Sequence, residues 1–145
     1  MAPELIFSIA SFAATTGWAL LILVPGRRWT SIVSGAIVPG FLAGGYVVLI
    51  ALNFWGAEGG FGTLEDVARL FANPWLLLAG WLHYLAFDLL IGNWEARDAR
   101  VRGVSRWALV PCLVGTFLFG PAGWLLYLGA RRFYSNGTVT SDGVP

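Results

Sequence analysis

Lysine is missing from this 145-residue chain, and cysteine and histidine each occur once. With Cys112 alone, no internal disulfide can form, and neither a CxxC pair nor a Cys/His metal pattern exists. Charge is scarce: 12% of residues carry it, against about a quarter in soluble domains. Hydrophobic residues make up 57%, which excludes an ordinary soluble domain. A net charge of +1, with no basic patch interleaved with aromatics, excludes nucleic acid as a partner.

What the chain does contain is one apolar run after another. Leu5–Gly26, Trp29–Ala57, Leu70–Phe87 (extended to Ile91) and Trp107–Ala130 each approach or exceed the length of about 20 residues that crosses a bilayer. The expected fold is an all-α membrane protein, a left-handed bundle of four transmembrane helices in residues 1–132, with a short polar, disordered tail at 133–145. The first segment lacks a basic leader and a cleavage site before Pro25-Gly26-Arg27-Arg28, so it reads as a retained helix. Pro39 predicts a kink in the second segment, where Ala36, Gly40 and Gly44 recur four apart and predict close backbone approach. Thr63 reads as the N-cap of a short amphipathic helix. Its Leu64, Val67, Ala68 and Phe71 share one face, for the membrane surface or for a lid. Pro74 opens the third helix, which projects past Ile91 toward Arg100, and Gly120–Gly123 bends the fourth near its exit. With four crossings, Arg27, Arg28, Arg97, Arg100, Arg102 and Arg106 outnumber Arg69, Arg131 and Arg132 across the membrane. That count predicts both termini on the non-cytoplasmic side.

The third segment holds His83 and Asp88 at membrane depth, where an ionisable group costs roughly 2.5–3.5 kcal/mol on insertion scales. Tyr84 and Asp88 share a helix face, which Gly92 and Glu95 continue. His83 stands roughly 140° around the helix from Asp88 and about 7.5 Å along it. The two cannot bond directly, but they can flank an elongated substrate in a groove between this helix and segments one, two and four. A carboxyl withdrawn from water holds its proton and serves as a general acid; a neutral imidazole serves as a base. Such a pair suits isomerisation or epoxide opening with no metal and no cofactor. The bland alternative has His83 bonding a backbone carbonyl, Ser8 or Ser11, and Asp88 pairing with Arg28 or Arg106. Glu95 and Asp98, among Arg97, Arg100 and Arg102, read as a charge-laced helix end, with Asp98 and Arg102 spaced for an ion pair.

On Trp81-Leu82-His83, Asp88-Leu89, Gly92 with Trp94, and Gly120-Pro121-Ala122-Gly123, the chain resembles the abscisic-acid-deficient-type membrane proteins, the neoxanthin-synthase-like family with its bacterial relatives. The resemblance spans about Leu5 to Arg132. It implies a role like the conversion of violaxanthin to neoxanthin, in which a 5,6-epoxide opens while a neighbouring carbon loses a proton to give an allene. It agrees with the reading of His83 and Asp88 as the catalytic pair, and together they place the substrate contacts at Trp81, Tyr84, Gly92, Trp94, Gly120 and Pro121. The ligand expected is a carotenoid or another polyisoprenoid. With no plastid transit peptide before the first apolar segment, the chain reads as a multi-pass protein of a bacterial cytoplasmic membrane. The rival reading is a non-catalytic carotenoid- or lipid-binding protein, or a small subunit of a larger membrane complex, with protein partners or further copies of itself.

Overall fold

The computed structural model describes residues 2–134, which are helical throughout their regular parts, with no strand among them. The expected polar tail lies, from residue 135 on, outside the described residues. Helix α1 is Pro3–Leu23, with proline in its first turn, where a missing N–H costs nothing. Helix α2 (Arg28–Ile32) passes through a π-turn (Val33–Ile37) into α3 (Val38–Asn53) as one rod. Pro39 explains the π-turn: its ring clashes with the carbonyl four residues back, and the widened turn relieves the clash where a kink was expected. Helix α4 is Leu64–Ala72, capped as predicted by Thr63, whose hydroxyl oxygen accepts from the Asp66 N–H at 3.1 Å. Helix α5 runs unbroken from Pro74 to Arg102 and ends on Gly103, a left-handed C-cap at φ 70°.

Three rods are long and apolar enough to cross a membrane: Pro3–Leu23, Arg28–Asn53 and Pro74–Arg102. Their outward faces are apolar, with Phe12 and Leu52 each more than three-quarters exposed, as a bilayer-facing surface requires. The predicted fourth crossing is absent. Helix α6 (Arg106–Phe119) stops at Gly120, and α7 (Pro121–Ala130) folds back along it. A Cβ on Gly115 would lie 3.1 Å from the Gly123 Cα, and the Tyr134 hydroxyl meets that of Ser105 at 3.1 Å. The hairpin therefore enters and leaves at one end of the bundle. At about 1.5 Å per residue, α6 is roughly 21 Å long and α7 roughly 15 Å, short of the about 30 Å hydrocarbon core.

This reversal changes the topology. The hairpin returns Arg131 and Arg132 to the end already holding Arg27, Arg28, Arg97, Arg100, Arg102 and Arg106, so every arginine except Arg69 lies there. Polar ties close that end: Arg100 donates to the Gly26 carbonyl at 2.6 Å, and Arg106 to those of Ile22 and Leu23 at 3.1 and 3.0 Å. Pro3, beside Pro74, sits at the other end. The described ends of the chain are thus on opposite sides of the bundle rather than the same side.

Close approach also differs from the expected glycine stripe. A Cβ on Gly40 or Gly44 would meet nothing within 4 Å, so both glycines face outward. Tight contacts between the long helices fall instead at Gly17 against Leu89, Gly45 against Leu82, Gly92 against the Trp18 ring and Gly35 against the Asn93 amide, and within the hairpin at Gly123 against the Thr116 backbone. Around them Ser34 donates to the Gly17 carbonyl at 2.8 Å, which fastens the π-turn to α1, and Ser31 of α2 donates to Asn93 Oδ1 of α5 at 3.0 Å.

Because the obstruction at Gly123 is backbone, Gly123→Ala should lose about 1–3 kcal/mol, the range for overpacking, whereas Gly40→Ala and Gly44→Ala should melt in detergent like the parent or slightly higher. Cysteine labels at Ala2 and Tyr134 should react from opposite faces of sealed vesicles. Reaction from one face would restore the four-crossing topology.

Candidate functional site

Asp88 is the middle residue of α5. One stripe of this helix carries Pro74, Leu77, Trp81, Tyr84, Asp88 and Glu95, spaced to recur on a single face. The hairpin covers only the half of that stripe nearer the arginines, and its tip lands on Asp88: a Cβ on Gly120 would lie 3.1 Å from Asp88 Oδ1. Asp88 thus sits where α6 ends and α7 begins, beside the N-terminal, electropositive end of α7. Tyr84 faces the same carboxyl from one turn away. The other oxygen, Oδ2, is buried without a hydrogen-bond partner among the described residues.

Beneath the tip the stripe is left open. Pro3, Glu4 and Phe7 of α1, Phe71 of α4, and Pro74, Leu77, Leu78, Gly80 and Trp81 of α5 line an open cavity of about 520 Å³. Trp81 donates to Ser11 Oγ at 3.2 Å and packs between Phe7 and Tyr84, with ring centroids 5.6 and 5.4 Å away. This aromatic run leads from the cavity to Asp88. The amphipathic helix α4 buries Leu70 and puts the Phe71 edge against Gly80, so it walls one end of the groove.

Above the tip the stripe is polar and covered. Glu95 is fully buried, and its Oε1 accepts from the Thr116 hydroxyl at 2.8 Å. Asp98 accepts from the Tyr127 hydroxyl at 2.7 Å, from Arg102 as its spacing predicted, and from Arg131 at 3.3 Å. The two acids are therefore engaged separately, and Glu95 is no part of an exposed helix end.

The remaining expected site residues divide. Gly120 and Pro121 join Asp88, Gly120 as the hinge and Pro121 as the first residue of α7. Trp81 and Tyr84 join the groove. Gly92 lies under Trp18 and serves packing. Trp94 stands at the arginine end, edge-on to Tyr127 at 5.7 Å with the Arg131 guanidinium 5.5 Å over its ring. His83 does not share the groove: it is exposed on the side toward α3, stacked on Phe87 at 4.5 Å and beside Tyr46 at 5.5 Å. The angular offset from Asp88 puts the two residues on different sides of one helix. Asp88 pairs with neither Arg28 nor Arg106. Glu95 and Thr116 are the polar pair the sequence reading missed, although Glu95 continues the Tyr84–Asp88 face.

Gly120 combines φ 49° with ψ −106°, a backbone region closed to side chains. Gly120→Ala should lose roughly 1–3 kcal/mol, the cost of such strain, read as a lowered melting temperature. Gly129→Ala, at a helical glycine with open space around it, is the matched control and should not melt lower.

No curated protein and no solved structure is significantly similar to the chain. The model of one family matches residues 5–127, most of the sequence and every element of the groove beyond Glu4. The chain belongs to the ABA DEFICIENT 4-like (ABA4-like) family.

Proposed function

We propose that this protein is a redox-neutral acid/base isomerase of an elongated polyene-type terpenoid, a carotenoid or a relative, with Asp88 as the proton-transferring group. The observation that carries this reading is the uncovered half of the α1/α5 face, a cavity lined mainly by apolar side chains, with Glu4 at its outer end. From it the stacked Trp81 and Tyr84 rings lead to the Asp88 carboxyl. A long hydrocarbon can lie against Phe7, Leu77 and Trp81 and bring its functionalised end to Asp88 and Tyr84. Family membership supports the same substrate class.

The chemistry closes on itself. The Asp88 O–H protonates the epoxide oxygen as the C–O bond breaks. The carboxylate so formed takes the proton from the neighbouring carbon, whose C–H electron pair becomes the new double bond. Carbon loses one proton, oxygen gains one, and Asp88 ends as it began. Tyr84 holds the carboxyl in place from one turn away. His83, on the α3 side, is assigned no step.

The arginine end supports a cytoplasmic location for that side, since arginine excess marks it. The chain would enter from outside at Pro3 and present Tyr134 inside, in a bacterial cytoplasmic membrane.

Expression in carotenoid-producing hosts, followed by pigment analysis, tests the reading. Wild type should convert an epoxide-bearing carotenoid, and Asp88→Asn should abolish conversion while melting normally. His83→Gln should retain most of it. An unchanged pigment profile across several carotenoid backgrounds overturns catalysis, and a carotenoid absorption band in the purified protein without turnover would favour a binding role.

A further inference from the structure

Glu95 is the buried acid that the proposed reaction leaves unused. It is 0% exposed, and while Oε1 accepts from Thr116, Oε2 has no partner among the described residues. Asp88 Oδ2 is the other buried side-chain oxygen in that condition. Thr116 on α6, which bonds Glu95, and Gly120 just past the end of that helix, which faces Asp88, are one turn apart, about 6 Å along the axis. Helical side chains lean toward the N-terminus, so the longer Glu95, seven residues on along the same stripe of α5, leans toward Asp88. Other titratable groups around Glu95 are the Cys112 thiol on α6, Asp98 one turn on along α5, and Tyr127 on α7. Arg102 and Arg131 both turn to Asp98, and neither pairs with Glu95.

These positions form a ladder: Asp98 at the arginine end, Glu95 in the covered interior, Asp88 at the hairpin tip. Asp88 must hold a proton when substrate arrives; turnover restores it, but its open side faces hydrocarbon, so its exchange with water in the resting protein needs another route. We propose that Glu95 is the proton-exchange partner of Asp88, linking that carboxyl to the aqueous arginine-rich end with the Thr116 hydroxyl as the intervening donor and acceptor. This rests on the reading of Asp88 as the proton-transferring group. One carboxyl releases a proton as the other takes it, so no charge is created and no further reactant is needed. Glu95 does not touch substrate; it acts through Asp88.

The test is infrared spectroscopy of the full chain in lipid nanodiscs, following the protonated-carboxyl stretch after a switch from H2O to D2O. Asp88→Asn and Glu95→Gln assign the bands. In Glu95→Gln, deuterium uptake at Asp88 should slow by roughly a hundredfold, the low end of what a positioned proton-transfer group contributes. Thr116→Val should slow it too, and Thr116→Ser should restore it, which a merely structural role would not require. Uptake at the wild-type rate in both Glu95→Gln and Thr116→Val overturns the proposal, as does the lack of any protonated-carboxyl band from either acid. Those results would leave pigment conversion untouched as a separate measurement. Conversely, slowed uptake in a protein that converts no pigment would keep the relay and sink the isomerase reading.

Discussion

The arrangement depends on a single backbone contact, where Gly123 of α7 lies against Gly115 and Thr116 of α6. Within a bilayer, helices gain nothing by hiding apolar surface from each other, because lipid is as apolar as leucine. Association rests on close van der Waals approach, which small residues permit. A side chain at position 123 would push α7 away from α6 and open the reversal at Gly120. The reversal is what stops the hairpin at half depth, gathers the arginines at one end, and leaves half of the α5 stripe uncovered. The groove and the hairpin are two results of the same turn.

A chain break at membrane depth is tolerable only where its backbone groups are satisfied inside protein. Here the Gly120 N–H bonds the Thr116 carbonyl at 2.8 Å, and the Gly123 and Trp124 N–H groups bond the Gly120 carbonyl at 3.1 and 3.3 Å. Asp88 then occupies the electropositive start of α7. A partly buried helix terminus stabilises an acid by up to about 2 kcal/mol, comparable to the roughly 2.5–3.5 kcal/mol insertion cost of such a group. The break therefore favours the charged form of the carboxyl that it touches, the carboxylate that the proposed turnover creates and consumes. That accounts for an acid at the middle of α5 without any arginine partner.

Much of the helical layout was legible because it rests on local chemistry. Pro74 opens α5, Thr63 caps α4, and Asp98 meets Arg102, each through contacts within a turn. The fourth segment misled because composition cannot distinguish one crossing from two half-length helices; both need apolar residues throughout. Gly120-Pro121 carried the reversal, yet a bend and a reversal use the same residues. The spacing of Gly40 and Gly44 was equally ambiguous: periodicity names a face but not its partner, and that face points outward. Glu95 was read with its arginine neighbours in sequence, although three-dimensional packing sends those arginines elsewhere and brings Thr116 in.

On the proposed reading, the geometry separates two kinds of traffic. Apolar substrate reaches the site sideways, because the hairpin leaves the α1/α5 groove open in the half of the bundle away from the arginines. Protons cannot follow that route, since hydrocarbon offers them no carriers. They come from the opposite direction, where Asp98, Glu95 and Thr116 lie under the hairpin and out of the groove. Asp88 is the residue where both routes end, which is why its place at the middle of the helix matters more than its surroundings alone. A site nearer either end would lie in water, where a carboxyl gives up its proton too readily to act as an acid. Within a turnover the substrate itself returns the proton to Asp88, so the covered ladder serves the exchange of that proton with water in the resting protein.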